Sequence, residues 1–255
     1  MTDTERYLTR TGHLLVEVAG DAHVGTRYRA NFDVLAIDPG RPAVAVADGM
    51  GDGEGATVAG QAAFATFMAR VGATAGPVTP GLLRAAVAEA QQRVRAAGAR
   101  LPGLLTGCTL TALVADGAEA WLVQLGDSRA YRLRDGLLEL LTVDHTEAWL
   151  GAIYGWYPPD SPPARTARYR LYRYVGHPAD PEPDVLNVTL RPGDVLCLCT
   201  DGLAEQVPYH RLAQVLASDV PPAAMVATLL ADALAAGGHD NATVAVLRVS
   251  PATGG

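Results

Sequence analysis

Apolar and polar positions along the chain follow two rhythms. Alternation with a period of two runs through "HLLVEVAG" (13–20), then "FDVLAI" and "AVAVAD" on either side of the turn "DPGRP", predicting a strand followed by a hairpin. Residues 55–72 change to helical spacing, with Val58, Ala62, Ala65 and Met68 on one line. A second helix over 81–97 aligns Leu83, Ala86, Val87, Ala90 and Val94. The period returns to two in "TLTALVAD", "AWLVQLGD", "RAYRLRDG" and "LLELLT", separated by the turn signals "DGAE", "GDS" and "DG". "DVLNVTL" and "DVLCLCT" add two strands, helices follow at about 208–217 and 221–236, and "NATVAVLRV" closes with a strand.

Strands, two helices, many strands, two helices and one strand is not the alternation of a doubly wound parallel sheet. It predicts an α+β fold, a β-sandwich of two antiparallel sheets flanked by pairs of helices. Residues 1–12 are polar and read as a flexible tail, 13–249 as a single domain and 250–255 as a C-terminal tail. The Pro- and Tyr-rich stretch 146–183 reads as an irregular flap inserted in that domain. At 255 residues and 49% hydrophobic, the chain is long enough for one sizeable core.

Charge and cysteine narrow the function classes. The net charge is −7, every basic residue is Arg, and no basic cluster is present, which argues against a nucleic-acid surface. No apolar run approaches the roughly 18 residues of a membrane span, and the first dozen residues carry no apolar signal segment. Of the three cysteines, two lie inside the strand "DVLCLCT", so free thiols in a reducing, cytoplasmic compartment are expected.

Five acids share one context. Asp33, Asp48, Asp127, Asp201 and Asp240 each end or abut an apolar strand beside a small or polar neighbour. One such Asp alone is most often a turn-former or a helix cap. Five at strand ends also suit hard divalent cations, which prefer oxygen ligands and keep several waters. A pair of such ions sharing a carboxylate activates water and neutralises a phosphoryl group. The glycines after Asp48 and Asp201 are expected to let a backbone carbonyl, or a metal and its waters, approach closely where a Cβ would obstruct.

At these residues the chain resembles the metal-dependent serine/threonine protein phosphatases of type 2C, the PPM family. The motifs are "NFD" (31–33), "DGMG" (48–51), "GCT" (107–109), "GDSR" (126–129), "LTVDH" (141–145), "TDGL" (200–203) and "DNAT" (240–243), in the family's order. "RYRLYRYVG" (168–176) looks like a degraded form of the family's segment after the flap. The resemblance implies a binuclear manganese or magnesium site at one end of the sandwich, with a third, looser ion in bacterial members. It implies that Asp48 bridges two metals, that Gly49 gives its carbonyl to one, and that Asp201 and Asp240 hold the other. Asp127 and Asp201 match the third-metal positions, and Asp33 acts through hydrogen bonds to metal-bound water. The implied reaction is direct attack of a metal-bridging water on phosphoserine or phosphothreonine, the partner in a bacterium being a serine/threonine kinase or its substrates.

Three positions depart from that pattern. Phe32 stands where the family has Glu or Gln, and Tyr28 stands where it has a phosphate-binding Arg. Arg27 and Arg29 flank Tyr28, and in an extended segment both point to the side of Asp33, so either is a candidate for phosphate. "DGMGDGEGAT" lacks the usual Gly-Gly-His, and Asp52 or Glu54 is a candidate to replace the missing carboxylate. His145 reads as a structural histidine, His239 as a neighbour of Asp240, and Glu205 as a helix-start acid. The departures support an alternative, a phosphatase-like regulatory binding protein with little or no catalysis. A third reading is a hydrolase of small phosphate esters.

Overall fold

In a computed structural model, residues 4–38, 40–51 and 53–252 are described. Two antiparallel sheets pack face to face. The first contains β1 (Glu5–Thr11), β2 (Leu14–His23), β7 (Arg129–Arg134), β8 (Leu137–Leu140), β10 (Val195–Cys199) and β11 (Ala242–Pro251), in the order β1-β2-β11-β10-β7-β8. The second contains β3 (Val34–Asp38), β4 (Ala43–Ala47), β5 (Leu110–Asp116), β6 (Glu119–Leu125) and β9 (Asp184–Thr189), in the order β3-β4-β5-β6-β9. Between the sheets lies a core that includes Val16, Val46, Leu113, Leu122, Leu198 and Ala245.

Helices cover the outer faces. α1 (Glu54–Gly72) and α2 (Pro80–Gly98) pack on the second sheet, whereas α6 (Tyr209–Leu216) and α7 (Pro222–Ala235) cover the first. Both outer layers bury mainly Ala, Val and Leu, the residues that fill a sheet–helix interface without unpaired polar atoms. Short helices α3 (Glu147–Tyr154), α4 (Pro162–Ala167) and α5 (Asp201–Ala204) complete the fold. The α+β sandwich is therefore as the periodicity predicts, and the stripe of α2 is buried as written, Leu83, Ala86, Val87, Ala90 and Val94 being essentially inaccessible.

Three expectations are corrected. Residues 5–11 are not a tail but the edge strand β1, paired from Glu5↔Gly20 to Thr11↔Leu14; their polar character reflects an exposed edge, with Leu8 at 65%. The stretch 146–183 contains α3 and α4, each capped by a hydroxyl, Thr146 accepting from the Trp149 amide and Ser161 from the Ala164 amide. In α1 the buried face is Ala56, Ala59, Ala63, Phe64, Phe67 and Val71, and Ala65 of the predicted stripe is exposed. That helix is small and apolar nearly all round, so the two phenylalanines choose the face. Pro39 of the predicted hairpin turn, the first three residues and the last three lie outside the described residues.

Phe67 is fully buried, so Phe67→Ala is expected to cost about 3–5 kcal/mol in urea unfolding. Ala65→Glu, on the exposed face, is expected to change stability by less than about 0.5 kcal/mol. Equal losses would contradict the observed rotation of α1.

Candidate functional site

Antiparallel register brings the five acids to one end. Val34 pairs with Ala47, so Asp33 and Asp48 flank the same end of the β3–β4 hairpin. Leu110 pairs with Leu125, placing Asp127 just beyond that end, and Cys199 pairs with Val244, placing Asp201 and Asp240 at the matching end of the other sheet. Asp48, Gly49, Asp127, Asp201 and Asp240 line a cavity of about 200 Å3 together with Tyr28, Met50 and Leu171. A larger cavity of about 380 Å3 shares Asp127 and Asp201 and extends beneath α3 and α4, where Trp149 and Arg168 line it.

Hydroxyls and one amide hold these loops in place. The Asp48 amide donates to Thr109 Oγ1 at 2.8 Å, and that hydroxyl meets Ser128 Oγ at 2.7 Å, tying the two sheets together behind the site. Thr200 Oγ1 donates to Asp33 Oδ2 at 2.8 Å while accepting from the Thr243 amide at 3.0 Å. Asn241 spans the loop before β3: its Oδ1 accepts from the Phe32 amide at 2.7 Å, and its Nδ2 donates to the carbonyls of Val24 (2.8 Å) and Ala30 (3.1 Å). These anchors were not singled out in the sequence, where "T" and "N" inside motifs carry no sign of which loop they will reach. His145 is structural as expected, its Nδ1 accepting from the Gly126 amide at 3.1 Å and its Nε2 facing Asp184 at 3.0 Å.

The glycines admit a backbone carbonyl, the first of the two approaches expected of them. A Cβ on Gly49 would stand 2.7 Å from the Phe32 carbonyl oxygen and 2.8 Å from that of Ala56, and one on Gly202 would overlap the Asn241 carbonyl. Close approach of neighbouring backbone is what requires glycine here.

Burial raises the carboxyl pKa values, and neighbouring carboxylates add to it at all but Asp240. Burial, then the charges of Asp201, Asp33, Asp127 and Asp240, hold Asp48 well above the usual carboxylate range. Burial likewise pushes Asp33 up to about 7, against the Thr200 hydrogen bond, and Asp127 up to about 7, with Asp144 adding to the effect. Asp201 rises well above its ordinary value by burial and then by Asp127. Asp240 is raised by burial and moderated by the Asn241 amide and by Arg27.

The donor set fits hard divalent cations. Asp33 Oδ1 and Asp201 Oδ1 are buried without a hydrogen-bond partner, and every side chain at the cavity base offers oxygen. Among the described residues, no three His, Cys, Asp or Glu side chains close into a metal-ligand cluster. Magnesium-like ions take one or two carboxylates each and keep waters, so a set spread around a cavity is compatible with them.

The remaining predicted positions divide. Residues 25–27 form a turn rather than an extended segment. Arg27 and Arg29 are both exposed, but only the Arg27 guanidinium stands 5.0 Å from the centre of the Tyr28 ring and within electrostatic reach of Asp240. Phe32 offers no ligand and packs edge-on against Tyr28, ring centres 5.9 Å apart. Glu54 opens α1 and is exposed, Glu205 pairs with Arg168 at 3.3 Å at the end of α5 instead of starting a helix, and Asp52 lies outside the described residues.

The protein phosphatase 2C family profile matches residues 22–235. Serine/threonine protein phosphatase PstP of Mycobacterium tuberculosis is 34% identical over 209 residues, 81% of this chain and 40% of the relative. The chain thus spans about 40% of the length of that curated relative. Serine/threonine phosphatase stp of Listeria monocytogenes is 28% identical over 224 residues, 84% of this chain and 87% of the relative. The solved structure of Mycobacterium tuberculosis PstP/Ppp superposes with a TM-score of 0.83 at 31% identity, covering 92% of this chain and 99% of that one. A structure of the PstP catalytic domain in complex with two manganese ions gives 0.82 at 31% identity, covering 93% and 99%.

The raised carboxyls set a pH dependence. Without metal, the folded protein binds protons that the unfolded chain releases between the ordinary value of 3.8 and about 7. Stability in EDTA is therefore expected to fall as pH rises through that window, lowering Tm by about 5 °C or more between pH 5 and 8, and Mn2+ is expected to restore it most at the upper end. A metal-free Tm that is flat or rising over that range would contradict the crowding.

Proposed function

The chain belongs to the protein phosphatase 2C family, and on that premise we propose that it is a manganese- or magnesium-dependent phosphatase of phosphoserine and phosphothreonine proteins. The observation that carries this reading is the cavity whose base is Asp48, Asp127, Asp201 and Asp240, where Asp201 Oδ1 is buried with no protein donor to satisfy it. Asp48, the Gly49 carbonyl, Asp201 and Asp240 hold two ions, and Asp127 with Asp201 holds a third, looser one. Bound there, the ions supply Lewis acidity that activates water and neutralises phosphoryl charge.

The chain's own groups do the rest. Asp48 feels the charge of the other four acids, and its amide donates to Thr109, whose hydroxyl meets Ser128 and so keeps both sides of the site in register. Asp33, fixed by Thr200 on one oxygen, presents the other to orient water as a hydrogen-bond acceptor. Arg27, and not Arg29, meets the phosphate, because it alone of the two stands over the ring that walls the cavity. Substrates in a bacterium are proteins phosphorylated by a serine/threonine kinase, or that kinase. Three buried free cysteines suit a reducing, cytoplasmic setting; no helix among the described residues is long and apolar enough to cross a membrane. Apart from the departures at Phe32 and Tyr28, no observation on the described residues favours the regulatory alternative.

Phosphate release from a phosphothreonine peptide with Mn2+ tests this. Asp201→Asn is expected to lower kcat/KM at least about 100-fold, the scale of several kcal/mol of cation stabilisation. Arg27→Ala is expected to raise KM about tenfold and Arg29→Ala less than about twofold. Wild-type turnover by Asp201→Asn would sink the reading.

A further inference from the structure

Arg165, Arg168, Arg170 and Arg173 crowd into the short run "RTARYRLYR", which contains no acid and which the motifs do not account for. The run is too short to track a nucleic-acid backbone. The fold gives its members different surroundings. Arg173 bonds Asp184 at 2.9 Å, and Arg170 meets Glu147 at 3.2 Å. Arg165 and Arg168 stand at the end of α4, both exposed, with Arg168 still in helical backbone (φ −63°, ψ −30°). Three residues apart on a helical turn, they are surface neighbours. Among the described residues no carboxylate pairs with Arg165.

Arg168 reaches the site. It lines the 380 Å3 cleft that shares Asp127 and Asp201 with the acid-lined cavity. Its partner Glu205 is 3.3 Å away, and Glu205 lies within electrostatic reach of both Asp127 and Asp201. A guanidinium therefore stands one ion pair from the acids. That pair is a single contact open to water, the Arg168 side chain being 48% exposed, and such pairs are weak. The other cation of the cleft, Arg129, is committed: Asp144 takes two of its nitrogens at 2.9 and 2.6 Å. Trp149, Ala152, Pro159 and Ala164 add wall without charge. An anion entering this cleft thus meets Arg168. A phosphate offers the guanidinium fork two acceptors and close to two charges, more than the one contact Glu205 makes. Arg165 adds a second cation that has no carboxylate to release. Cations bound at the acids cancel the repulsion that would otherwise turn the anion away.

We propose that Arg168 and Arg165 form a subsite for a second anionic group of the substrate. The protein then prefers segments in which the phosphoserine or phosphothreonine to be cleaved is flanked by another phosphate or by an acidic side chain. Glu205 occupies Arg168 until that anion displaces it. The two arginines touch the flanking group, not the reacting phosphorus, and so determine specificity. The inference rests on the phosphatase reading above and names its substrate class.

The test uses the whole chain with Mn2+ and phosphothreonine peptides of one sequence, in which each flanking position in turn carries Ala, Glu or a non-hydrolysable phosphonate. The readout is kcat/KM relative to the Ala peptide in wild type, Arg165→Ala, Arg168→Ala, Arg170→Ala and Glu205→Gln, with Tm measured for each to establish folding. At the best position an anion is expected to raise kcat/KM about tenfold, chiefly through KM, the scale of one charge-assisted hydrogen bond. The gain is expected to shrink about threefold or more in Arg165→Ala and in Arg168→Ala, to persist in Arg170→Ala and to grow in Glu205→Gln. It is also expected to fade between about 0.1 M and about 1 M salt. A larger gain from phosphonate than from Glu identifies a second phosphate as the group that is read; equal gains identify an acidic residue. No gain above about twofold at any position, or a gain that both Arg165→Ala and Arg168→Ala retain, overturns the proposal. Turnover of the Ala peptide leaves the phosphatase reading standing in that case; turnover of no peptide overturns both.

Discussion

Like charges repel, and this fold gathers five carboxylates at one end of a sandwich with little water to screen them. Each additional buried acid raises the cost of ionising the others, so that Asp48, already raised by its burial, is pushed further above ordinary behaviour by the charges of Asp201, Asp33, Asp127 and Asp240. A chain that only needed to fold would not keep such a cluster. Its presence requires two things of the surrounding structure: loops held too firmly to swing the acids into solvent, and counter-charge beyond what Arg27 at Asp240 and Arg129 at Asp127 supply. Thr109, Ser128, Thr200 and Asn241 meet the first requirement, each bridging segments far apart in the chain. Divalent cations meet the second.

The same constraint explains the architecture around the site. Antiparallel pairing sends alternate strand ends to one edge, so acids distant in sequence meet without any long connection across the core. The glycines after Asp48 and Asp201 let neighbouring carbonyls pack within van der Waals contact of the turn, which keeps the carboxylates on short, stiff loops. α3 and α4 form a separate wall beside the acids, and the exposed Tyr154 at the end of α3 stacks on Trp156 in the loop that follows, ring centres 5.6 Å apart.

Where one face of an element is clearly marked, the fold could be read from the chain. The α2 stripe stands out because charged and amide residues fill its other face, and the meander stands out because strict alternation is interrupted by glycine turns. The face of α1 could not be read, since an Ala- and Gly-rich helix has almost no amphipathic contrast and two Phe positions decide its rotation. Strand β1 escaped for the opposite reason: an edge strand is polar by nature, and its pairing partner lies on β2, not within its own pattern. In the site, the acids were legible as strand-end carboxylates in ordered motifs. Their anchors were not, because an Asn or Thr beside an Asp gives no sign of which distant carbonyl or carboxylate it will bond. The Tyr28–Phe32 contact likewise exists only once the turn at 25–27 has formed.

Crystals grown with Mn2+, with diffraction recorded at the manganese absorption edge, test the central claim most directly. The account predicts anomalous density on both sides of the Asp48 carboxylate, with Asp201 and Asp240 around one of the ions. Anomalous density absent from this cavity, or confined to other carboxylates on the surface, would contradict it.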